Sequence, residues 1–219
     1  MMRSVAAIAL CLALPLAVQA QDANKRGADI AANGVGDNVP ACSGCHAQNG
    51  IADGSGAFPR LAGQSAWYMA RQFADYAAGT RKSALMGPIA KALSPADGAA
   101  VAAYYQSATG PFVFDKRADA TLIERGRQLA RIGDQAKALP ACNNCHGPGG
   151  TGEFPAIPYL AGQYADYTVL QLQMWRSGAR KDSVDAMADI AKRLSDQDMA
   201  AVAAYYQQLR ETPTHAANK

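Results

Sequence analysis

The sequence predicts an all-α protein made of two copies of one small helical domain. Two observations carry that prediction. The chain repeats itself at an offset of about 100 residues, which marks duplication of one structural unit. Neither copy contains a period-two run of β-branched residues that would read as a strand, and alanine is abundant throughout. The repeats are specific. Pro40-Ala41-Cys42 returns as Pro140-Ala141-Cys142, and Leu61-Ala62-Gly63-Gln64 as Leu160-Ala161-Gly162-Gln163. Ile89-Ala90-Lys91 returns as Ile190-Ala191-Lys192, and Ala99 to Gln106 recurs almost unchanged as Ala200 to Gln207.

Met1-Met2-Arg3 opens the chain, an apolar run follows from Val5 to Val18, and Val18-Gln19-Ala20 ends it. That order is the pattern of a secretory signal peptide, expected over residues 1–20. The run is shorter than the roughly 20 residues a membrane span needs. An exported, soluble mature protein is therefore expected. Residues 21–110 form the first expected domain and residues 111–219 the second. The link runs from about Ala108 to Ala118, through Thr109-Gly110-Pro111.

Each domain reads as helices joined by loops. A first helix is expected from near Asn24 to Gly34, and from near Ala120 to Gly133. The repeated Arg26-Gly27 and Arg125-Gly126 fall inside it. A second covers about Ser65–Ala78 and Tyr164–Ser177. A short helix follows each of Met86 and Met187. The last begins at Ser94-Pro95-Ala96-Asp97 and at Ser195-Asp196-Gln197-Asp198. Both offer a Ser cap with a carboxylate three residues on, and Pro95 suits the first helical position, where its missing N–H costs nothing.

The chemistry lies between the first and second helices. Cys42-Ser43-Gly44-Cys45-His46 and Cys142-Asn143-Asn144-Cys145-His146 share the spacing of c-type haem attachment. Two thiols three positions apart share one helical turn and can add to the two vinyl groups of one porphyrin. The adjacent imidazole is then placed to ligate iron. Two disulfides, a redox Cys-x-x-Cys pair or a structural zinc site use the same cysteines, but none explains a His directly after each second Cys. The fifth cysteine, Cys11, lies in the signal segment. Two covalent haem c groups are expected, on Cys42 and Cys45 and on Cys142 and Cys145. The glycine-rich loop after each motif is expected to wrap the haem edge.

The sixth iron position decides between a carrier and an open, catalytic haem. Only three histidines exist, and the third, His215, lies in the tail. Five methionines follow the signal segment: Met69, Met86, Met174, Met187 and Met199. A methionine at helical spacing is usually core filling. Aligning the copies sets Met69 against Thr168, Met174 against Asp75 and Met199 against Gly98. Only Met86 and Met187 face each other. The expected ligand sets are therefore His46 with Met86 and His146 with Met187. Thioether ligation raises the reduction potential. Pro59 and Pro158 also align, and a carbonyl there can accept the second N–H of the proximal imidazole.

Arg81-Lys82 and Arg180-Lys181 recur after Gly79 and Gly178. They read as a solvated charge pair at a helix end, where cations suit the dipole, or as partners for haem carboxylates. Removing Arg3 takes the formal net charge from +3 to +2. That argues against nucleic acid or an anionic membrane surface as partner.

Duplicated Pro-Ala-Cys-x-x-Cys-His, Leu-Ala-Gly-Gln, a Met before Ile-Ala-Lys and a final Ala-Ala-Tyr-Tyr helix together resemble the cytochrome c4 family. The resemblance spans nearly all of the chain after residue 20. It implies two tandem class I cytochrome c domains related by internal duplication, with a pseudo-twofold axis and haems close across the interface. It implies a periplasmic electron-transfer protein, soluble or peripherally held on the membrane. Electrons would enter from a quinol-oxidising complex or other respiratory donor and leave to a terminal oxidase. Around Glu153–Ile157 the second haem loop is expected to be lengthened. The competing readings are a dihaem peroxidase-type enzyme, which needs a spare ligand or open iron, and a cytochrome subunit of a dehydrogenase or oxidase complex.

Overall fold

The computed structural model describes residues 21–113, 118–181 and 186–213. The expected signal segment and His215 lie outside them, as does part of the link between the halves. Ten α-helices occur among the described residues. The first lobe has α1 (21–33), α2 (Ser43–His46), α3 (Ala66–Ala78), α4 (Met86–Ala92) and α5 (Pro95–Ser107). The second repeats them as α6 (Ala120–Arg131), α7 (Asn143–His146), α8 (Ala165–Ser177), α9 (Ala186–Arg193) and α10 (Asp196–Gln208). No strand is present among the described residues, only isolated bridges such as Arg81 with Arg180.

The caps explain the boundaries. Ser65 accepts from the Tyr68 amide at the start of α3, and Asp119 from the Thr121 and Leu122 amides at the start of α6. Ser94 takes the Asp97 amide, and Ser195 completes a reciprocal box with Asp198. Each such cap is worth about 1 kcal/mol. Gly79 and Gly178 end α3 and α8 in the left-handed region, at φ 76° and 75°, which costs glycine nothing.

The recurring Arg-Gly pair has a packing cause. α1 crosses α5, and α6 crosses α10, with almost no gap. A Cβ on Gly27 would lie 2.1 Å from the Ala100 carbonyl oxygen, and one on Gly126 2.0 Å from that of Ala201. Each lobe closes around its own core. Ile30, Met69, Val101 and Tyr105 fill the first. Leu129, Leu172, Trp175, Met199 and Val202 fill the second. Full burial of such a side chain is worth roughly 1.5–3 kcal/mol.

The lobes meet through backbone and amides. Gln64 Nε2 donates to the Tyr159 carbonyl while its Oε1 accepts from the Tyr159 amide, at 3.0 and 3.1 Å. Gln163 does the same to Arg60, at 2.9 Å for both bonds. The Lys82 amide donates to the Ala179 carbonyl at 2.9 Å, and that of Lys181 to the Thr80 carbonyl at 2.8 Å. The contacts on one lobe repeat on the other, the signature of an isologous interface between duplicated halves. Arg60 also ties down the connector, donating to the Pro111 and Gly110 carbonyls and stacking on Phe112.

Two expectations require correction. Leu61 follows His46 by 15 positions and Leu160 follows His146 by 14, so the second loop is not lengthened. Glu153 and Ile157 instead exchange backbone hydrogen bonds, at 3.1 and 2.9 Å, and pinch the loop into a tight turn. The methionines do not precede their short helices: Met86 is the first residue of α4 and Met187 the second of α9.

Candidate haem sites

Each Cys-x-x-Cys-His motif wraps into a single helical turn, α2 or α7. The turn closes with the His46 and His146 amides donating to the Cys42 and Cys142 carbonyls, both at 2.9 Å. No disulfide joins the four motif cysteines. Cys45 and Cys145 are exposed, whereas Cys42 and Cys142 are half-buried and pack on the two lobe cores. Burial pushes the Cys142 thiol up to about 11 and moves Cys42 in the same direction.

Both proximal imidazoles are buried, each 9 % exposed. His46 Nδ1 lies 3.2 Å from the Pro59 carbonyl oxygen, and His146 Nδ1 lies 3.1 Å from that of Pro158. A carbonyl only accepts, so Nδ1 carries the proton and Nε2 keeps its lone pair. Burial lowers the pKa of both rings, and the proline carbonyls oppose that shift. The neutral ring is the form that ligates a metal.

The two halves place their methionines alike. Met86 and Met187 are half-buried at the start of α4 and α9, and Met187 packs on the core that also receives Cys142. Met69 and Met199 are core side chains, 6 % and 0 % exposed. Met174 Sδ accepts from Gln171 Nε2 at 3.8 Å. Beside Met86 an open cleft of about 630 Å³ is lined by Tyr76, Arg81, Lys82, Gly87, Pro88 and Lys91.

The arginines do not read as solvated helix-end charges. Lys82 and Lys181 are exposed, but Arg81 and Arg180 are 3 % and 2 % exposed and sit between the lobes. Arg81 donates to Gln72 at 2.8 Å, Tyr167 at 2.6 Å and Gln171 at 2.5 Å. Arg180 mirrors it, donating to Gln171 at 2.9 Å and to Tyr68 and Gln72 at 2.8 Å. The Nε of each is buried without a hydrogen-bond partner. Buried cations with a donor to spare suit a carboxylate-bearing group, and haem carries two such carboxylates. The residues present thus fit the cofactor: paired thiols, a neutral imidazole, a soft thioether and an anion-accepting wall. Sequence reading missed Gln72 and Gln171, and it marked Gln64 and Gln163 only as part of a repeated motif without a role. Each recurs at an offset of 99, which was the available signal.

Two helical lobes with one such motif each define a dihaem c-type cytochrome, an electron-transfer protein. Comparison with known proteins agrees. Residues 25–109 match the cytochrome c family, and residues 127–205 match the family described as cytochrome C oxidase, cbb3-type, subunit III. Cytochrome c4 of Azotobacter vinelandii is 40% identical over 180 residues, covering 77% of this chain and 84% of that protein. The "thiosulfate dehydrogenase electron acceptor" of Stutzerimonas stutzeri (strain A1501) is 38% identical over 205 residues, 92% of this chain and 94% of that one. Among solved structures, reduced recombinant cytochrome c4 from Pseudomonas stutzeri superposes with a TM-score of 0.74 at 32% identity, covering 86% of this chain and 98% of that one. A thiosulfate dehydrogenase (TsdBA) from Marichromatium purpuratum gives 0.78 at 38% identity. It covers 85% of this chain but only 40% of that longer one. The chain belongs to the cytochrome c4 family and carries two haem c groups. No helix among the described residues is long and apolar enough to cross a membrane.

Proposed function

We propose that the chain is a periplasmic electron carrier, not an enzyme, with two closed haem sites. Cys42 and Cys45 hold the first haem and Cys142 and Cys145 the second. His46 and Met86 ligate one iron, and His146 and Met187 the other. The haem iron supplies a one-electron couple; the chain sets its potential and excludes water. Pro59 and Pro158 orient the proximal rings through their carbonyls. Residues 1–20 act as the export signal, residues 21–110 and 111–219 as the two haem domains.

The observation that carries this reading is the equivalent placement of Met86 and Met187 at the start of matching helices. A soft ligand on both irons leaves no position open for substrate. The donor is a quinol-oxidising complex or another respiratory dehydrogenase, and the acceptor a terminal oxidase. The relatives named thiosulfate dehydrogenase electron acceptors favour a second reading of the donor, an enzyme that oxidises a sulfur compound.

Denaturing mass spectrometry should find the chain from residue 21 plus two haem masses. Stopped-flow mixing of the oxidised protein with a purified thiosulfate dehydrogenase, and separately with a quinol-oxidising complex, distinguishes the donors. Fast peroxidase turnover by the isolated protein would overturn the carrier reading.

A further inference from the structure

The two lobes present different surfaces around their matched methionines. In the first, Lys82 and Lys91 both line the open cleft beside Met86, and no carboxylate lines it with them. Both lysines are exposed, and neither forms an ion pair among the described residues. Asp75, the residue before the cleft-lining Tyr76, is buried and already pairs with Arg71. Leu85, next to Met86 in the chain, is 64 % exposed, and Pro88 is exposed as well. The Lys82 backbone is held in place by its hydrogen bond to the Ala179 carbonyl of the other lobe, at 2.9 Å.

The second copy cancels this charge. Between Lys82 and Met86 the first copy reads Ser83-Ala84-Leu85, whereas between Lys181 and Met187 the second reads Asp182-Ser183-Val184-Asp185-Ala186. Asp189 stands where the first copy has Pro88. Its carboxylate lies 3.9 Å from Nζ of Lys192, the counterpart of Lys91. From the lysine after the buried arginine to the end of the short helix, the first copy thus carries two cations and no anion. The same stretch of the second sets Lys181, Lys192 and Arg193 against three aspartates. The exposed leucine is replaced by Ala186. Both sets of residues support the same short helix, so the difference lies in what each face meets outside the chain.

We infer that the Met86 face of the first lobe docks an acidic redox protein, one that surrounds its own electron-exchange site with carboxylates, and that the matching face of the second lobe does not. The inference rests on the two-haem carrier reading above, in which Met86 ligates the first iron. Leu85 and Pro88 supply the apolar centre that such an interface desolvates. Lys82 and Lys91 supply the cationic rim, which speeds encounter and orients the partner. Contact here sets the partner beside the segment that carries an iron ligand. One electron then passes between the first haem and the partner's own redox centre, and no bond forms or breaks. Exposed rim pairs are weak and screened by salt, which suits a partner that must leave after each transfer.

The test is stopped-flow electron exchange between the holoprotein and, in turn, a purified thiosulfate dehydrogenase, a quinol-oxidising complex and a terminal oxidase, at low and high salt. The variants are Lys82→Glu, Lys91→Glu and Leu85→Ser, with Lys181→Glu and Lys192→Glu as second-lobe counterparts. With at least one partner the second-order rate should fall as salt rises, and at low salt it should fall about tenfold in each first-lobe lysine variant. The second-lobe variants should change it by less than about twofold. Leu85→Ser should weaken binding and keep the salt dependence. Carbodiimide coupling, which joins a lysine amine to a carboxylate, should link that partner to Lys82 or Lys91 and not to Lys181 or Lys192. In every variant the near-infrared sulfur-to-iron band should be intact and both midpoint potentials close to those of the unaltered protein, which separates lost docking from a damaged haem site. If the rates with all three partners ignore Lys82 and Lys91, or respond equally to the second-lobe lysines, the docking face is wrong while the carrier reading stands. A missing haem or a missing band in the unaltered protein instead overturns the carrier reading.

Discussion

The Pro158 carbonyl oxygen sits 3.1 Å from His146 Nδ1, and the first lobe repeats the pair between Pro59 and His46 at 3.2 Å. The bond goes to the backbone carbonyl, not the proline ring. Pro158→Ala keeps the acceptor and changes only loop stiffness. It should leave the optical spectrum and the potential of the second haem unchanged and cost no more than about 1 kcal/mol in denaturant unfolding. A high-spin spectrum in this variant would show that the ring, and not the carbonyl, positions the imidazole.

Met86→Ala and Met187→Ala should each remove about half of the near-infrared sulfur-to-iron band. Met69→Leu and Met199→Leu, at core positions 6 % and 0 % exposed, should leave it intact and cost under about 1.5 kcal/mol in stability, as volume-conserving swaps do. Loss of the band on changing a core methionine would overturn the ligand assignment.

Gly126→Ala should destabilise the second lobe severely. Its Cβ would meet the Ala201 carbonyl at 2.0 Å and the Tyr205 Cβ at 2.7 Å, and backbone atoms cannot rotate away. Overpacking usually costs about 1–3 kcal/mol; here α6 and α10 must separate, so the upper end or beyond is expected. Gly27→Ala should behave alike in the first lobe. Thermal unfolding followed separately at the two haems checks both. A helix-stabilising outcome, which an exposed Gly→Ala change produces, would contradict the close crossing.

Acid should weaken the second lobe through Asp198. Burial alone would raise this carboxyl, but hydrogen bonds from Lys137, Ser195 and Arg125 outweigh burial and hold it far below the usual carboxylate range. A depressed folded pKa means that the stabilisation is complete above the unfolded value of about 3.9 and fades as pH falls through the lower folded value. Asp97, its counterpart, pairs with Arg26 at a more exposed site. Asp198→Asn should cost about 2–3 kcal/mol at neutral pH and flatten the acid limb of the second lobe's unfolding. Asp97→Asn should cost under about 1 kcal/mol. Equal effects in circular-dichroism melts from pH 2 to 7 would refute this asymmetry.

Much of this molecule is legible from short stretches of chain. Ser94 and Ser195 announce α5 and α10 because a cap is made within four residues of the hydroxyl. Cys42, Cys45 and His46 announce haem attachment because one helical turn brings them together. The start of the short helices was placed one or two residues late, since nothing local distinguishes Met86 from the loop before it. Gln64 and Gln163 stand out in the sequence only as the end of a repeated Leu-Ala-Gly-Gln, which assigns them no role, yet each holds the other lobe's backbone by two bonds.

The arginines show where the boundary falls. By itself the sequence determined the helical class, the duplication, the two haem motifs and the matched pair of methionines, because each depends on spacing along the chain or on alignment of the two copies. It left Arg81 and Arg180 undecided between surface charge and carboxylate partner. Only the tertiary structure decided that they are buried and face each other through Gln72 and Gln171. Besides a glutamine nine positions away in its own lobe, each arginine bonds residues of the other lobe 86 to 112 positions away, and desolvation depends on which surfaces the two lobes bring together. No local pattern encodes that choice.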